Sequence, residues 1–336
     1  MSIETQAKYH HLIPQTYMSP WGNESGTLKI EFINNPGVIK ERNKEKIGGF
    51  TDYHTIKAGM PICTQNDTDM IFASVSPYIV SYDGRTIRDS YELNKIYWDF
   101  ENWHITRPDG SPVSKKQIKN EIEKVKIKDI ELNWSIKYEN YWKSQIAIIE
   151  DKVLNTTDNS VTAFNKEYIM KFFIALDWRG FHSNAQFEKA LFRLCNDLLP
   201  LSNVDIPEDD RVLNSLRTVE DEMRHFLLLQ YYRQYLNDSG VIYNTAMLNL
   251  KNTSFHFLVA DGPTLFVTSD SPAFVHTRPD GSIAGLIPIS PKILLVQGKN
   301  TFQDKNYYIT HIDEKSVKTY NEIIKRNAYN FIIHTW

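Results

Sequence analysis

The spacing of apolar side chains changes twice along this chain, and few folds accommodate such a sequence. Between residues 130 and 238 apolar and aromatic residues recur at helical intervals. In 130–154, Trp134, Tyr138, Tyr141, Trp142, Ile149 and Val153 fall on one face. Phe164, Tyr168, Phe172 and Leu176 mark a second helix with Gly180 as its C-cap. Ser183-x-x-Gln186 is a capping box opening a third, with Phe187, Leu191, Leu194 and Leu198 inward. After a polar connection at 201–212, Thr218 caps a fourth, whose Met223, Phe226, Leu227 and Leu236 face the core.

On either side the pattern is that of strands. Residues 27–110 read as a strand and loop region: Thr27–Ile33, then Tyr78–Tyr82 leading into the hairpin turn Asp83-Gly84, then Trp98–Thr106. Residues 34–70 read as irregular, exposed loops. In 253–336, Phe255–Ala260 and Leu265–Thr268 form a hairpin across Asp261-Gly262-Pro263. Ile283–Ile289, Ile293–Val296 and Tyr307–His311 follow, then a late helix over 315–328 and a last apolar stretch, Phe331–His334. The expected fold is a single α+β domain over 1–336. Its mixed or antiparallel sheet gathers N- and C-terminal strands around a central helical region.

Composition narrows the function classes. A formal charge of −3 over 336 residues gives no general attraction to nucleic acid or membrane, although a local basic patch is compatible with it. Aromatic residues make up 12%, so phenol and indole groups must find partners inside the core. Cys63 and Cys195 form neither a disulfide framework nor a zinc pattern. The start shows no basic-then-apolar leader, and no apolar run approaches the ~18 residues of a membrane span. A cytoplasmic, membrane-free protein is expected, with oligomeric state left open.

The residues that carry chemistry are sparse. His10-His11-Leu12-Ile13-Pro14-Gln15-Thr16-Tyr17 places two imidazoles, an amide and a phenol beside a proline. In an extended segment the two histidines point to opposite faces, so one of them enters a given pocket. Asp270, in Thr268-Ser269-Asp270-Ser271-Pro272, is suited to orient an imidazole, hold a metal or act as a base; a turn-forming aspartate is the plain alternative. Ser290, in Pro288-Ile289-Ser290-Pro291, lies in no nucleophile elbow and reads as structural. Glu222-x-x-His225 reads as a helical surface pair, since a di-metal bundle needs a second copy. Glu150-Asp151-Lys152 resembles a nuclease Glu-x-Lys but continues a helical pattern. Thr-Arg-Pro-Asp-Gly-Ser occurs at 106–111 and again at 277–282, and reads as two convergent turns. No Gly-x-Ser-x-Gly, phosphate loop, His-Glu-x-x-His or dinucleotide glycine pattern is present.

Three of these elements, in order, resemble the domain of unknown function 4238 family: His11-Leu12-Ile13-Pro14-Gln15, Thr268-Ser269-Asp270-Ser271-Pro272 and Pro288-Ile289-Ser290-Pro291, with the helix Glu139–Asp151 between. The resemblance covers roughly residues 9–298 and departs from the family's pattern between 30 and 130. It carries no activity with it. What it implies is that His11, Gln15 and Asp270 share a site. The functional expectation is an enzyme, a hydrolase acting on nucleic acid or a nucleotide, in the manner of a phage-defence or toxin-like effector. His11 is its acid/base or ligand, Asp270 an orienting or metal-binding carboxylate, and Gln15 a positioning group. A divalent metal is compatible with this set. The rival is a non-enzymatic binding or scaffold protein whose aromatic helical middle forms a partner interface.

Overall fold

A computed structural model describes residues 9–180, 204–299 and 305–336. The fold is α+β, and its contacts gather into two compact units. Within the described residues, the first unit comprises 52–132 and 204–233, and the second 9–51, 133–180, 234–299 and 305–336. The expected helix at 183–198 lies outside the described residues.

The second unit is built on two main sheets. One is four-stranded and antiparallel, in the order Thr268–Ser269, Phe331–His334, Thr27–Phe32, Ile39–Asn43. It joins both ends of the chain, as the strand patterns require. Leu28 and Ile30 alternate into the core, whereas the edge strand Ile39–Asn43 is exposed throughout and mostly charged. Charge along an edge blocks pairing with another chain.

The other sheet orders Phe274–Thr277, Ile283–Ser290, Ile293–Lys299, Thr253–Ala260, Asn306–Ile312 and Ser160–Thr162. Only the pairing of Thr253–Ala260 with Asn306–Ile312 is parallel. On one face Leu258, Leu286, Leu294 and Val296 pack with Val317 and Ile324 of the helix Glu314–Asn327. On the other, Gly285 leaves room for Phe173 of the helix Lys166–Arg179. That helix stacks Phe172 on Trp142, ring centres 3.8 Å apart and planes 11° apart.

The first unit holds a three-stranded sheet, Arg85–Ile87, Ile79–Tyr82 and His104–Thr106, with Asp83-Gly84 at the expected hairpin turn. Phe72, Tyr97 and Phe100 surround the buried Trp103. Arg233 grips both oxygens of Asp67, at 2.7 and 3.1 Å, and Asp67 also closes a capping box with Thr64. Both Thr-Arg-Pro-Asp-Gly-Ser copies form the same turn. Asp109 Oδ1 accepts from Ser111 N and Oγ, and Asp280 Oδ1 from Ser282 N and Oγ, at 2.9 and 2.7 Å in each.

Several expectations are corrected. Leu265–Thr268 makes no hairpin with Phe255–Ala260, because the latter finds partners in Ile293–Lys299 and Asn306–Ile312. Instead Val267 N and Leu265 O bond the Asn321 side chain, and Thr268–Ser269 joins the other sheet. Residues 34–70 contain the strands Ile39–Asn43 and Gly49–Thr51 and the helix Gln65–Ile71. Trp98 lies in a 3-10 turn, 80% exposed, and the strand there begins only at His104. Tyr141 faces outward, and Met223 is exposed while His225, Leu228, Leu229 and Tyr232 are buried. The run Phe226–Leu229 is apolar all round, so its period does not select a face.

The pairing of Tyr9–His11 with Gly49–Thr51 is tight. A Cβ on Gly49 would sit 2.2 Å from the His10 carbonyl oxygen. Gly49→Ala is therefore expected to cost about 1–3 kcal/mol of stability, read by denaturant unfolding. Alanine at Gly37, with nothing within 4 Å but a φ of +80°, is the strained yet unclashing control.

Candidate functional site

Alternation along the N-terminal strand decides which histidine reaches an open surface. His10 is fully buried and His11 half-buried. Pro14 (φ −57°, ψ 136°) then turns the chain into the short helix Gln15–Met18. The Gln15 amide nitrogen thereby comes 3.3 Å from His11 Nε2, which also lies 3.2 Å from the Glu45 carbonyl oxygen. One ring nitrogen serves these two partners in different states. A bare Nε2 accepts the Gln15 N–H, whereas a protonated Nε2 donates to Glu45 and asks Gln15 to present its oxygen. The proton on His11 is thus coupled to the orientation of Gln15.

The main chain of His11 is held from behind. Arg179, the last residue of its helix, donates to the His11 carbonyl and, at 2.7 Å, to Glu139 Oε1. Its guanidinium carbon lies 4.6 Å from the centre of the Trp134 ring. The Arg179 side chain is 1% exposed and that of Glu139 18%. Glu139 ends a π-helical turn, Ser135–Glu139, inside the long helical segment. Widened turns of this kind concentrate at functional positions.

Asp270 is held by the main chain near the end of the chain. Its oxygens accept the backbone N–H groups of Tyr329, at 2.8 Å, and Asn330, at 2.6 Å. Burial pushes its carboxyl up to about 6 despite these bonds. Asp270 therefore clamps the turn before the last strand, and the structure brings His11 beside Gln15.

Tyr17, two residues after the first motif element, joins the other two. Its hydroxyl lies 2.8 Å from Thr268 Oγ1 and donates to the Pro288 carbonyl at 2.8 Å, while Phe266 N bonds Pro291 O. Gly180, next to Arg179, sits against Ser271. Ser290 Oγ is buried at a strand irregularity and makes no hydrogen bond among the described residues. A family model for proteins of unknown function (DUF4238) matches residues 9–335. The chain belongs to the DUF4238 family. No curated protein and no solved structure gives a match. For this DUF4238 chain, then, the family's motifs are first of all parts of one interlocked assembly in the second unit.

Sequence reasoning missed the pairing of Arg179 with Glu139: Arg179 belongs to no motif, Glu139 only opens the helix Glu139–Asp151, and the two meet through the packing of two helices. It also missed a polar cluster in the first unit. There His54 Nδ1 lies 2.6 Å from Glu131 Oε2, and His54 is fully buried. His225, expected on a surface, is 4% exposed, with its ring 4.8 Å from that of Tyr53. Burial, reinforced by nearby His54, depresses its pKa to about 3, so it stays neutral. Glu222 turns instead to the Val212 amide. No helix among the described residues is long and apolar enough to cross a membrane.

Two measurements check this electrostatic account. Glu139→Ala leaves the Arg179 charge buried and should cost about 3–5 kcal/mol in chemical denaturation. For Asp270, the native chain holds a proton between about pH 4 and 6 that the unfolded chain has lost. Stability should fall as pH rises through that window, by up to roughly 3 kcal/mol. In Asp270→Asn this component of the pH slope should vanish.

Proposed function

We propose that this protein is a hydrolytic enzyme acting on a nucleotide or nucleic acid, with His11 as the group that moves the proton. The observation that supports this reading is the buried Arg179–Glu139 pair directed at the His11 main chain. A buried charge pair is a poor stabiliser compared with apolar packing of the same size. Here it fixes an imidazole and an amide, side by side, at a half-open position near the start of the chain. An imidazole so placed takes a proton from an attacking water and returns it to the leaving oxygen. Gln15 follows that proton by reversing its amide. Asp270 acts as a positioning residue through the turn it clamps. Activity of this kind fits a phage-defence or toxin-like effector.

Against the scaffold reading, Trp134, Tyr138, Trp142 and Phe172 are buried in the core; in its favour, Ile136 and Tyr141 of the same helical segment are exposed.

The test is turnover of single-stranded RNA, DNA and nucleoside triphosphates by the full chain, with and without added Mg²⁺ or Mn²⁺. His11→Ala should lower the rate about 100- to 10,000-fold with little change in thermal midpoint. Unchanged turnover in His11→Ala would overturn the assignment, as would activity that follows His54→Gln instead.

A further inference from the structure

The hexapeptide Thr-Arg-Pro-Asp-Gly-Ser folds twice into the same turn, so each copy serves as a control for the other. In the first copy the arginine is committed: Arg107 Nη1 donates to Ser111 Oγ and to the Pro112 carbonyl, both at 3.2 Å. In the second copy Ile283 follows the serine and enters a strand paired with Thr277. Arg278 makes the backbone bonds of the turn, its N–H donating to Ser282 O and its carbonyl accepting from Gly281 N. No side-chain hydrogen bond of Arg278 is found among the described residues, although its charge does act on Asp280 in the same turn. Its side chain instead lines a cleft of about 520 Å³ in the second unit.

The floor of this cleft is the open end of a sheet face. His256 pairs in register with Val296, and Ser254 with Gly298. Two residues along the same strands, Leu258 and Leu294 are covered by the helix Glu314–Asn327, while Ser254, His256 and Gly298 border the cleft. Gly298 keeps the space clear. Among the described residues, a Cβ there would meet only Ser254 Oγ, at 3.7 Å. His256 Nε2 lies 2.7 Å from Thr310 Oγ1 on the neighbouring strand, which fixes the ring. None of the described lining residues is acidic. Asp280, in the same turn, directs Oδ1 to Ser282.

We propose that this cleft binds a small phosphate monoester, with Arg278 on the phosphoryl oxygens, His256 beside it, and Val296 and Ile283 against the organic part. A planar guanidinium matches two phosphoryl oxygens at once. Burial, and then the Arg278 charge, disfavours the protonated form of His256, so among the described lining residues Arg278 is the one cation, and a phosphate suits it. The cleft shares no residue with the His11 site, and the proposal does not depend on the hydrolase reading.

The experiment is calorimetric titration of the full chain with phenyl phosphate, against phenol, inorganic phosphate and benzoate. Phenyl phosphate should bind more tightly than each of the others. Arg278→Ala should weaken it by about tenfold or more, and Gly298→Val, which fills the floor, should abolish binding. Arg107→Ala, the control turn, should leave it unchanged. If Gly298→Val fails to fold, Gly298→Ala should still weaken binding. The proposal is overturned if phenyl phosphate gives no binding heat at millimolar concentration, if benzoate binds more tightly, or if Arg278→Ala and Arg107→Ala behave alike.

Discussion

The Tyr17 hydroxyl is the contact on which the second unit turns. It touches Thr268 Oγ1 and the Pro288 carbonyl, 251 and 271 positions away along the chain. All of these atoms are buried, so each would be costly to leave without a partner. Burial also holds the phenol well above its ordinary pKa, which keeps its proton in place for donation. Trp21 adds a second bond of the same kind, from its indole N–H to Phe266 O. Once these are formed, the segment bearing His11 and Gln15 cannot leave the sheets without exposing several unsatisfied groups together.

Behind this anchor lie two carboxylates with opposite roles. Glu139 balances a buried cation, and the pair holds the His11 carbonyl. Asp270 faces only amide donors and has no cation among its named partners, so desolvation outweighs its hydrogen bonds. A carboxylate in Asp270's position serves better as a clamp than as the partner of an imidazolium. The family motifs contribute to both arrangements.

How much was legible in the sequence depended on whether the signal was local. The late helix, the turns at Asp83-Gly84 and at both Pro-Asp-Gly sites, and most strands at both ends rest on periods or turn chemistry within a few residues. They appear as read. Partner choice was not local. Phe255–Ala260 has two sheet neighbours and so has no use for Leu265–Thr268. In the fourth helix, four consecutive apolar residues erased the period, and the face read from it excluded His225. Arg179 and Glu139 left no trace in spacing, since a helix-end arginine normally reads as favourable to the helix dipole and nothing more.

The two copies of one hexapeptide show where local determination stops. Proline, aspartate, glycine and serine build the same turn in both, down to identical aspartate–serine distances. The side chain of the arginine before the proline is not part of that local program. Its long side chain takes whatever acceptor or space the surroundings supply, and the surroundings differ from the next residue onward: Pro112 offers a carbonyl, whereas Ile283 continues into a sheet. The same four-residue chemistry therefore closes a loop in one unit and, in the other, presents a cation to an open cleft. Turn sequence fixes the backbone; the tertiary frame decides what the turn carries.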